Sequence, residues 1–140
     1  MAEPVGIVLS GATGRMGTTL ARLVAEDDGL RLLGGIGRTP ERECDIGCPV
    51  VETPETAGAW LDEADVVVDF SSPELLRRLL EAHGERLAGT ALVVGTTGLA
   101  PEEDRLLEEL ARRAPVLRAA NFSVGVNLLL ALAERAAAVL

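Results

Sequence analysis

The sequence predicts an α/β fold, an open and mostly parallel sheet with helices on both faces, and two observations carry that prediction. Short apolar runs alternate with amphipathic segments along the whole chain of 140 residues. A run such as Val5-Gly6-Ile7-Val8-Leu9 is apolar throughout rather than at every second position, as a strand buried on both faces must be. The second observation is the turn Ser10-Gly11-Ala12-Thr13-Gly14-Arg15-Met16-Gly17, which separates that run from a segment where Met16, Leu20, Leu23 and Val24 recur at helical spacing. Such a turn gathers backbone N–H groups and the positive end of a helix at one point, which suits a phosphate. Gly11 would permit the tight turn, Gly14 a close approach of a pyrophosphate, and Gly17 close packing of helix on strand. The spacing G-x-x-G-x-x-G varies the commoner G-x-G-x-x-G. A strand-to-helix turn with no ligand is the competing reading.

The remaining elements follow in order. Leu30–Ile36 reads as a second strand, followed by a loop carrying Gly37, Arg38, Arg42, Cys44 and Cys48. Pro49-Val50-Val51 reads as a short strand or as extended chain. Thr53-Pro54-Glu55 supplies an N-cap, a proline at N1 and an acid in the first turn of a short helix to about Leu61. Residues 65–70 form the next strand. Ser72-Pro73-Glu74 opens a helix with Leu75, Leu76, Leu79 and Leu80 on one face, and with Glu74–Arg78 and Arg77–Glu81 as i,i+4 pairs on the other. It ends at His83-Gly84.

Residues 91–94 are again a strand, and Pro101 opens a helix with Glu102, Glu103 and Asp104 in its first turn and Arg112 and Arg113 in its last. Pro115-Val116-Leu117 is the fifth strand. A final helix starts near Ser123 to Val126 and is apolar nearly all round, with Asn127, Glu134 and Arg135 as a narrow polar strip. A helix of that kind belongs inside a structure; left uncovered, it should self-associate or fray. The alternation implies a Rossmann-type doubly wound parallel sheet of order 3-2-1-4-5, in a single domain with a terminal helix.

Composition narrows the functional classes. The net charge of −9 argues against nucleic acid or an anionic membrane as partner. All 13 cationic side chains are arginine, and there is no tyrosine. A P-loop lysine, a lysine Schiff base and the Tyr/Lys pair of short-chain dehydrogenases are therefore excluded from this chain. Cys44 and Cys48 lack a second pair and lie far in sequence from His83, the one histidine. They read as free thiols, with no metal site expected. No basic segment with a long apolar core precedes Gly11, and residues 124–139 are interrupted by polar groups, so the cytoplasm is the expected compartment.

In a sheet of this type, ligands sit beyond the carboxyl ends of the strands. The residues there are Gly11 to Gly17, Gly37-Arg38, Phe70-Ser71-Ser72, Gly95-Thr96-Thr97 and Ala120-Asn121-Phe122. Thr96 and Thr97 offer hydroxyls and backbone groups able to hold a carboxamide, or else simply end a strand. Asn121 and Phe122 offer an amide and an aromatic face; a hydrogen bond at the helix start and a core position are their ordinary alternatives. After the second strand, Gly37 stands where an NAD-specific domain places a carboxylate for the ribose 2′-hydroxyl. Arg38 and Arg42 suit a 2′-phosphate, unless they are solvated loop residues.

The segments Gly11-Ala12-Thr13-Gly14-Arg15-Met16-Gly17, Val68-Asp69-Phe70-Ser71, Val94-Gly95-Thr96-Thr97-Gly98 and 119–127 (Ala-Ala-Asn-Phe-Ser-Val-Gly-Val-Asn) together resemble the 4-hydroxy-tetrahydrodipicolinate reductases. These are oxidoreductases of diaminopimelate and lysine biosynthesis, and the resemblance runs through the whole chain in order. It implies NADPH or NADH as cofactor. Gly11, Ala12, Thr13, Gly14, Arg15 and Met16 would face the pyrophosphate and adenosine side, and Arg38 the adenine ribose or its phosphate. Phe70, Gly95, Thr96, Thr97, Ala119, Ala120, Asn121 and Phe122 complete the cofactor-binding set, with Gly95 to Thr97 and Ala119 to Phe122 at the nicotinamide end. Family members often carry Glu before that arginine; Gly37 replaces it here.

The resemblance further implies a dinucleotide-binding domain over residues 1–122, then a hinge and the start of a helix, 123–140, leading to a substrate domain absent from this sequence. The family's His-His…Lys signature has no counterpart here. No catalytic residue is expected in this chain, and the chain alone is expected to be inactive. The small-molecule substrate would be bound only with the absent domain, and a homo-oligomer is compatible with the sequence. The alternatives are a stand-alone dinucleotide-binding or sensing module without catalysis, and an atypical short-chain dehydrogenase relative.

Overall fold

The computed structural model describes residues 3–41 and 50–139. Arg42, Cys44 and Cys48 lie outside the described residues. The elements run β1 (Val5–Ser10), α1 (Arg15–Ala25), β2 (Leu30–Ile36), β3 (Val51–Glu52), α2 (Gly58–Glu63), β4 (Val66–Asp69), α3 (Pro73–His83), β5 (Ala91–Val94), α4 (Pro101–Ala111), β6 (Val116–Arg118) and α5 (Val124–Ala137). The strands form one sheet of order β3-β2-β1-β4-β5-β6, with every pair parallel. Val51–Glu52 is thus a strand, pairing with Gly35 and Ile36 of β2. Counting it corrects the order expected from five strands. Residues 65–70, third in that count, do not flank β2 at an edge but lie in the middle of the sheet beside β1. The point where the order reverses therefore falls between β1 and β4.

The core has two layers. On one face α2, α3 and α4 cover Val8, Leu33, Ile36, Val67, Leu92 and Val94, with Leu75, Leu76, Leu79 and Leu80 of α3 at the centre. Each buried leucine contributes about 1.5–3 kcal/mol relative to exposure. On the other face α1 packs Ala21 and Val24 against Ile7, Leu9, Ala12 and Val51. That second layer is incomplete, against the expectation that strands are covered on both sides. The register aligns Leu9, Val68, Val93 and Leu117 across β1, β4, β5 and β6. Exposure along the row runs from 1% at Leu9 to 58% at Leu117, because α1 spans only its start. No residue of α5 is buried.

Three local expectations differ. Thr53 does not cap a helix: residues 54–57 are turns, Ala57 N–H donates to Thr53 O, and α2 begins at Gly58. Arg78 turns from Glu74 to make two hydrogen bonds to Glu55, at 2.8 and 2.9 Å, whereas Arg77 does sit 3.9 Å from Glu81. Arg112 is the C-cap of α4 and Arg113 lies beyond it, pairing with Glu85.

Candidate functional site

The carboxyl ends of β1, β2 and β4 meet around a cavity of about 350 Å³ lined by Gly11, Thr13, Gly14, Gly37, Arg38, Thr39, Phe70, Ser71, Ser72 and Leu75. The turn after β1 shapes its floor. Gly11 has φ +81°, a conformation open to glycine and strained for other residues. A Cβ on Gly17 would meet Ala12 O at 2.6 Å, so α1 rests on the turn's own carbonyls. A Cβ on Gly14 would meet only Gly11 O, at 3.2 Å.

The donors of this turn divide into two groups. Gly11 and Ala12 donate their N–H groups to Ile36 O, and Gly14 donates to Gly11 O. Among the described residues, the N–H groups of Thr13, Arg15 and Met16 have no such partner. Helix α1 also starts without a side-chain cap or an acidic residue in its first turn. The starts of α3 and α4 differ, with Ser72 accepting from Leu75 N–H in one and Glu103 accepting from Ala100 N–H in the other. An uncapped helix start with free donors is an anion site in waiting. Ala12 itself is buried under α1, so its side chain faces the core rather than the cavity.

At the end of β2, Gly37 is buried while Arg38 and Thr39 are exposed. A Cβ at position 37 would come 2.9 Å from Cγ1 of the fully buried Val51. A carboxylate-bearing side chain there would have to displace a core residue. Arg38 takes part in none of the ion pairs found among the described residues.

A second cavity, about 370 Å³, adjoins the first and shares Phe70 and Ser71 with it. Arg15, Met16, Gly95, Thr96 and Thr97 complete its wall. Beneath it lies a residue that the sequence placed in a motif without giving it a role. Asp69, the last residue of β4, is fully buried; its Oδ1 accepts from Ser71 Oγ and its Oδ2 from Thr96 Oγ1, each at 2.5 Å. Thr96 Oγ1 accepts in turn from Ser71 N–H at 2.8 Å. Burial pushes the Asp69 carboxyl above its ordinary value, while the donated hydrogen bonds pull the other way. Ser10 also lies near enough to favour the charge, although its buried hydroxyl completes no hydrogen bond. Of the two threonine hydroxyls that the sequence offered, that of Thr96 is engaged by Asp69. Thr97 is the exposed one. A carboxylate at the end of an otherwise apolar run, followed by Phe-Ser-Ser, was the signal that could have found this cluster.

Beyond β6, Ala119, Ala120 and Asn121 line neither cavity. Asn121 Oδ1 accepts from Ser123 N–H at 2.8 Å and Asn121 O accepts from Asn127 Nδ2 at 3.0 Å, so Asn121 shapes the start of α5. Phe122 is 40% exposed rather than a core residue, and its ring lies tilted against Phe70, centroids 5.7 Å apart. His83, at the C-terminus of α3, is remote in the fold from both cavities, and no group of metal-ligating side chains occurs among the described residues. No helix among the described residues is long and apolar enough to cross a membrane.

Sheet order, the glycine turn at the switch point and the uncapped α1 define a Rossmann-type α/β domain. The chain belongs to the family described as dihydrodipicolinate reductase, N-terminus, whose model matches residues 5–122. Its relatives include 4-hydroxy-tetrahydrodipicolinate reductases from Anaeromyxobacter sp. (strain Fw109-5), 43% identical over 97% of this chain and 52% of the relative, and from Xanthomonas campestris pv. campestris (strain B100), 41% identical over 96% and 56%. The chain thus spans about half the length of the curated relatives it matches. Among solved structures, the fold is shared with RSP, a Rex-family repressor (TM-score 0.62, 13% identity, covering 95% of this chain and 59% of that one). It is shared too with the pyrroline carboxylate reductase of Plasmodium falciparum with NADP bound (TM-score 0.59, 15% identity, 84% and 42%).

Proposed function

We propose that this chain is the nicotinamide-dinucleotide-binding part of a cytoplasmic 4-hydroxy-tetrahydrodipicolinate reductase of the diaminopimelate route to lysine, and that it favours NADPH over NADH. The observation that carries the reading is the glycine turn between the two cavities, where α1 starts uncapped and backbone N–H groups lack a backbone partner at Thr13, in the first cavity with Arg38, and at Arg15 and Met16, in the second. The pyrophosphate would sit against Thr13, Gly14, Arg15 and Met16, the adenine ribose toward Arg38 and Thr39, and the nicotinamide in the second cavity beside Phe70, Gly95, Thr96 and Thr97. Gly11 and Ala12 shape the turn rather than donate to the ligand. Ala119 to Phe122 would border the nicotinamide from the β6 side, through Phe122. When bound, the reduced nicotinamide supplies a hydride.

Relatives at about 40% identity that bear the reductase name support the reaction class. With no lysine in the chain and no histidine at either cavity, the substrate clamp and proton donor are not expected among these residues, and the division at residues 122/123 belongs to the same reading. The buried Gly37 against Val51 supports NADPH, since it leaves no room for the carboxylate that would hold a free 2′-hydroxyl and repel a 2′-phosphate. Calorimetric titration of the wild type and Arg38→Ala with both nucleotides tests the proposal. Loss of a charge-assisted contact costs about 1.5–3 kcal/mol for NADPH and much less for NADH. A clear preference for NADH, or equal losses for the two, overturns the assignment of Arg38.

A further inference from the structure

Resting on the reading of the second cavity as the nicotinamide end, we infer that Asp69 is a positioning residue that sets the hydrogen-bond polarity of the cavity wall. Its two carboxylate oxygens take the hydroxyl protons of Ser71 and Thr96 and leave those oxygens able only to accept. A hydroxyl has one proton to donate. The Ser71 proton goes to Oδ1 at 2.5 Å in preference to the Ser72 carbonyl at 3.3 Å. The Thr96 proton goes to Oδ2 at 2.5 Å while its oxygen receives Ser71 N–H. Both residues line the second cavity. With Asp69 ionised, Ser71 Oγ and the one lone pair of Thr96 Oγ1 that Ser71 N–H does not occupy can only accept, which suits a group bearing N–H donors, as a carboxamide does.

The same bonds tie two turns that no strand pairing joins, Phe70-Ser71 after β4 and Gly95-Thr96 after β5. The backbone adds Gly95 N–H to Asp69 O at 2.8 Å. Nothing in the packing requires a charge here. Asp69 is fully buried beside an apolar core, where a carboxylate is costly to desolvate. An asparagine has nearly the same shape and no such cost. What it lacks is the ability to accept from both hydroxyls: its Nδ2 must face one of them as a donor, and the proton of that hydroxyl is released to turn elsewhere.

The test compares two ligands on the full chain, NADPH and 2′-phospho-ADP-ribose, which lacks the nicotinamide. Asp69→Asn is expected to weaken NADPH about three- to tenfold while changing 2′-phospho-ADP-ribose less than about twofold. Its melting temperature should be no lower than that of the wild type, since the variant buries no charge. Thr96→Val is expected to show the same split, and Thr96→Ser, which restores the hydroxyl, to bind NADPH as the wild type does. The threonine pair carries the comparison alone should Asp69→Asn fail to fold. Equal losses for both ligands indicate a structural role only and overturn the inference, as do unchanged affinities for NADPH in Asp69→Asn and Thr96→Val. A wild type that binds neither ligand rejects the underlying reading of the cavities instead.

Discussion

Gly14 and Gly17 are three residues apart in one turn, yet they answer to different constraints. Gly17 lies in the first turn of α1, where alanine would ordinarily be favoured by about 1 kcal/mol. Its Cβ, however, would press on the carbonyls of Gly11 and Ala12, backbone that cannot swing aside. Crowding of that kind costs about 1–3 kcal/mol. Gly17→Ala should therefore melt below the wild type despite its helix propensity, and lose nucleotide as the turn shifts. Gly14 has extended backbone, φ −78° and ψ 169°, which alanine adopts freely, and a Cβ there would meet only Gly11 O, at 3.2 Å, a much lighter contact than at Gly17. Gly14→Ala should keep the wild-type melt and lose nucleotide affinity alone. Melting curves and calorimetry on the pair check this; a stabilised Gly17→Ala would show that the turn yields. The glycine spacing announced this turn in the sequence. Which N–H groups stay free did not show there, because that depends on Ile36 O arriving from β2 to take two of them.

At the scale of elements, periodicity located the longer helices and the buried apolar strands, left β3 open between strand and extended chain, and failed where a tertiary partner decides. The segment after β3 carries the marks of a capped helix, but its hydroxyls bond one another: Thr56 Oγ1 lies 3.2 Å from Thr53 Oγ1 and donates to Glu52 at 2.7 Å. Arg78 has Glu74 one turn away, yet the two-pronged geometry of Glu55 wins it. That contact fastens the turn before α2 to α3, and the Arg78 hydrogen bonds bring the Glu55 carboxyl down from 4.5 to about 2. A carboxyl held below its unfolded value adds stability above pH 4.5, and that contribution disappears as the pH falls toward 2. The Glu55 side chain is 50% exposed and solvent screens the pair, so its worth stays below about 1 kcal/mol. Glu55→Gln should melt slightly below the wild type at neutral pH, with the gap closing as the pH is lowered through that window. A gap independent of pH would mean that the pair contributes through packing rather than charge.

Across the whole molecule, the parallel sheet and its switch point were legible because buried strands read as apolar runs in any order. The position of β4 was not, since residues 49–51 read equally as a short strand or as extended chain, and leaving them out of the count shifts every strand after them. The more consequential feature at this scale is the uncovered ground on the α1 side of the sheet. Leu117 lies bare there, and α5 exposes Leu128, Leu129, Leu130 and Leu132. A helix of 14 residues is marginal in water without packing. Its start is fixed by Ser123, Asn121 and Asn127, but those bonds secure one turn and bury no apolar surface. Contiguous apolar area above about a few hundred Å² seeks a partner. Prepared as these 140 residues, the protein should self-associate through α5 or leave that helix frayed. Light scattering across a concentration series and hydrogen exchange distinguish the two outcomes. Association should bring protection to α5 as concentration rises, whereas fraying should leave its amides exchanging freely beside a protected sheet. A monomer at high concentration with strongly protected α5 amides would overturn both, because it would require the helix to fold back and find cover within its own chain.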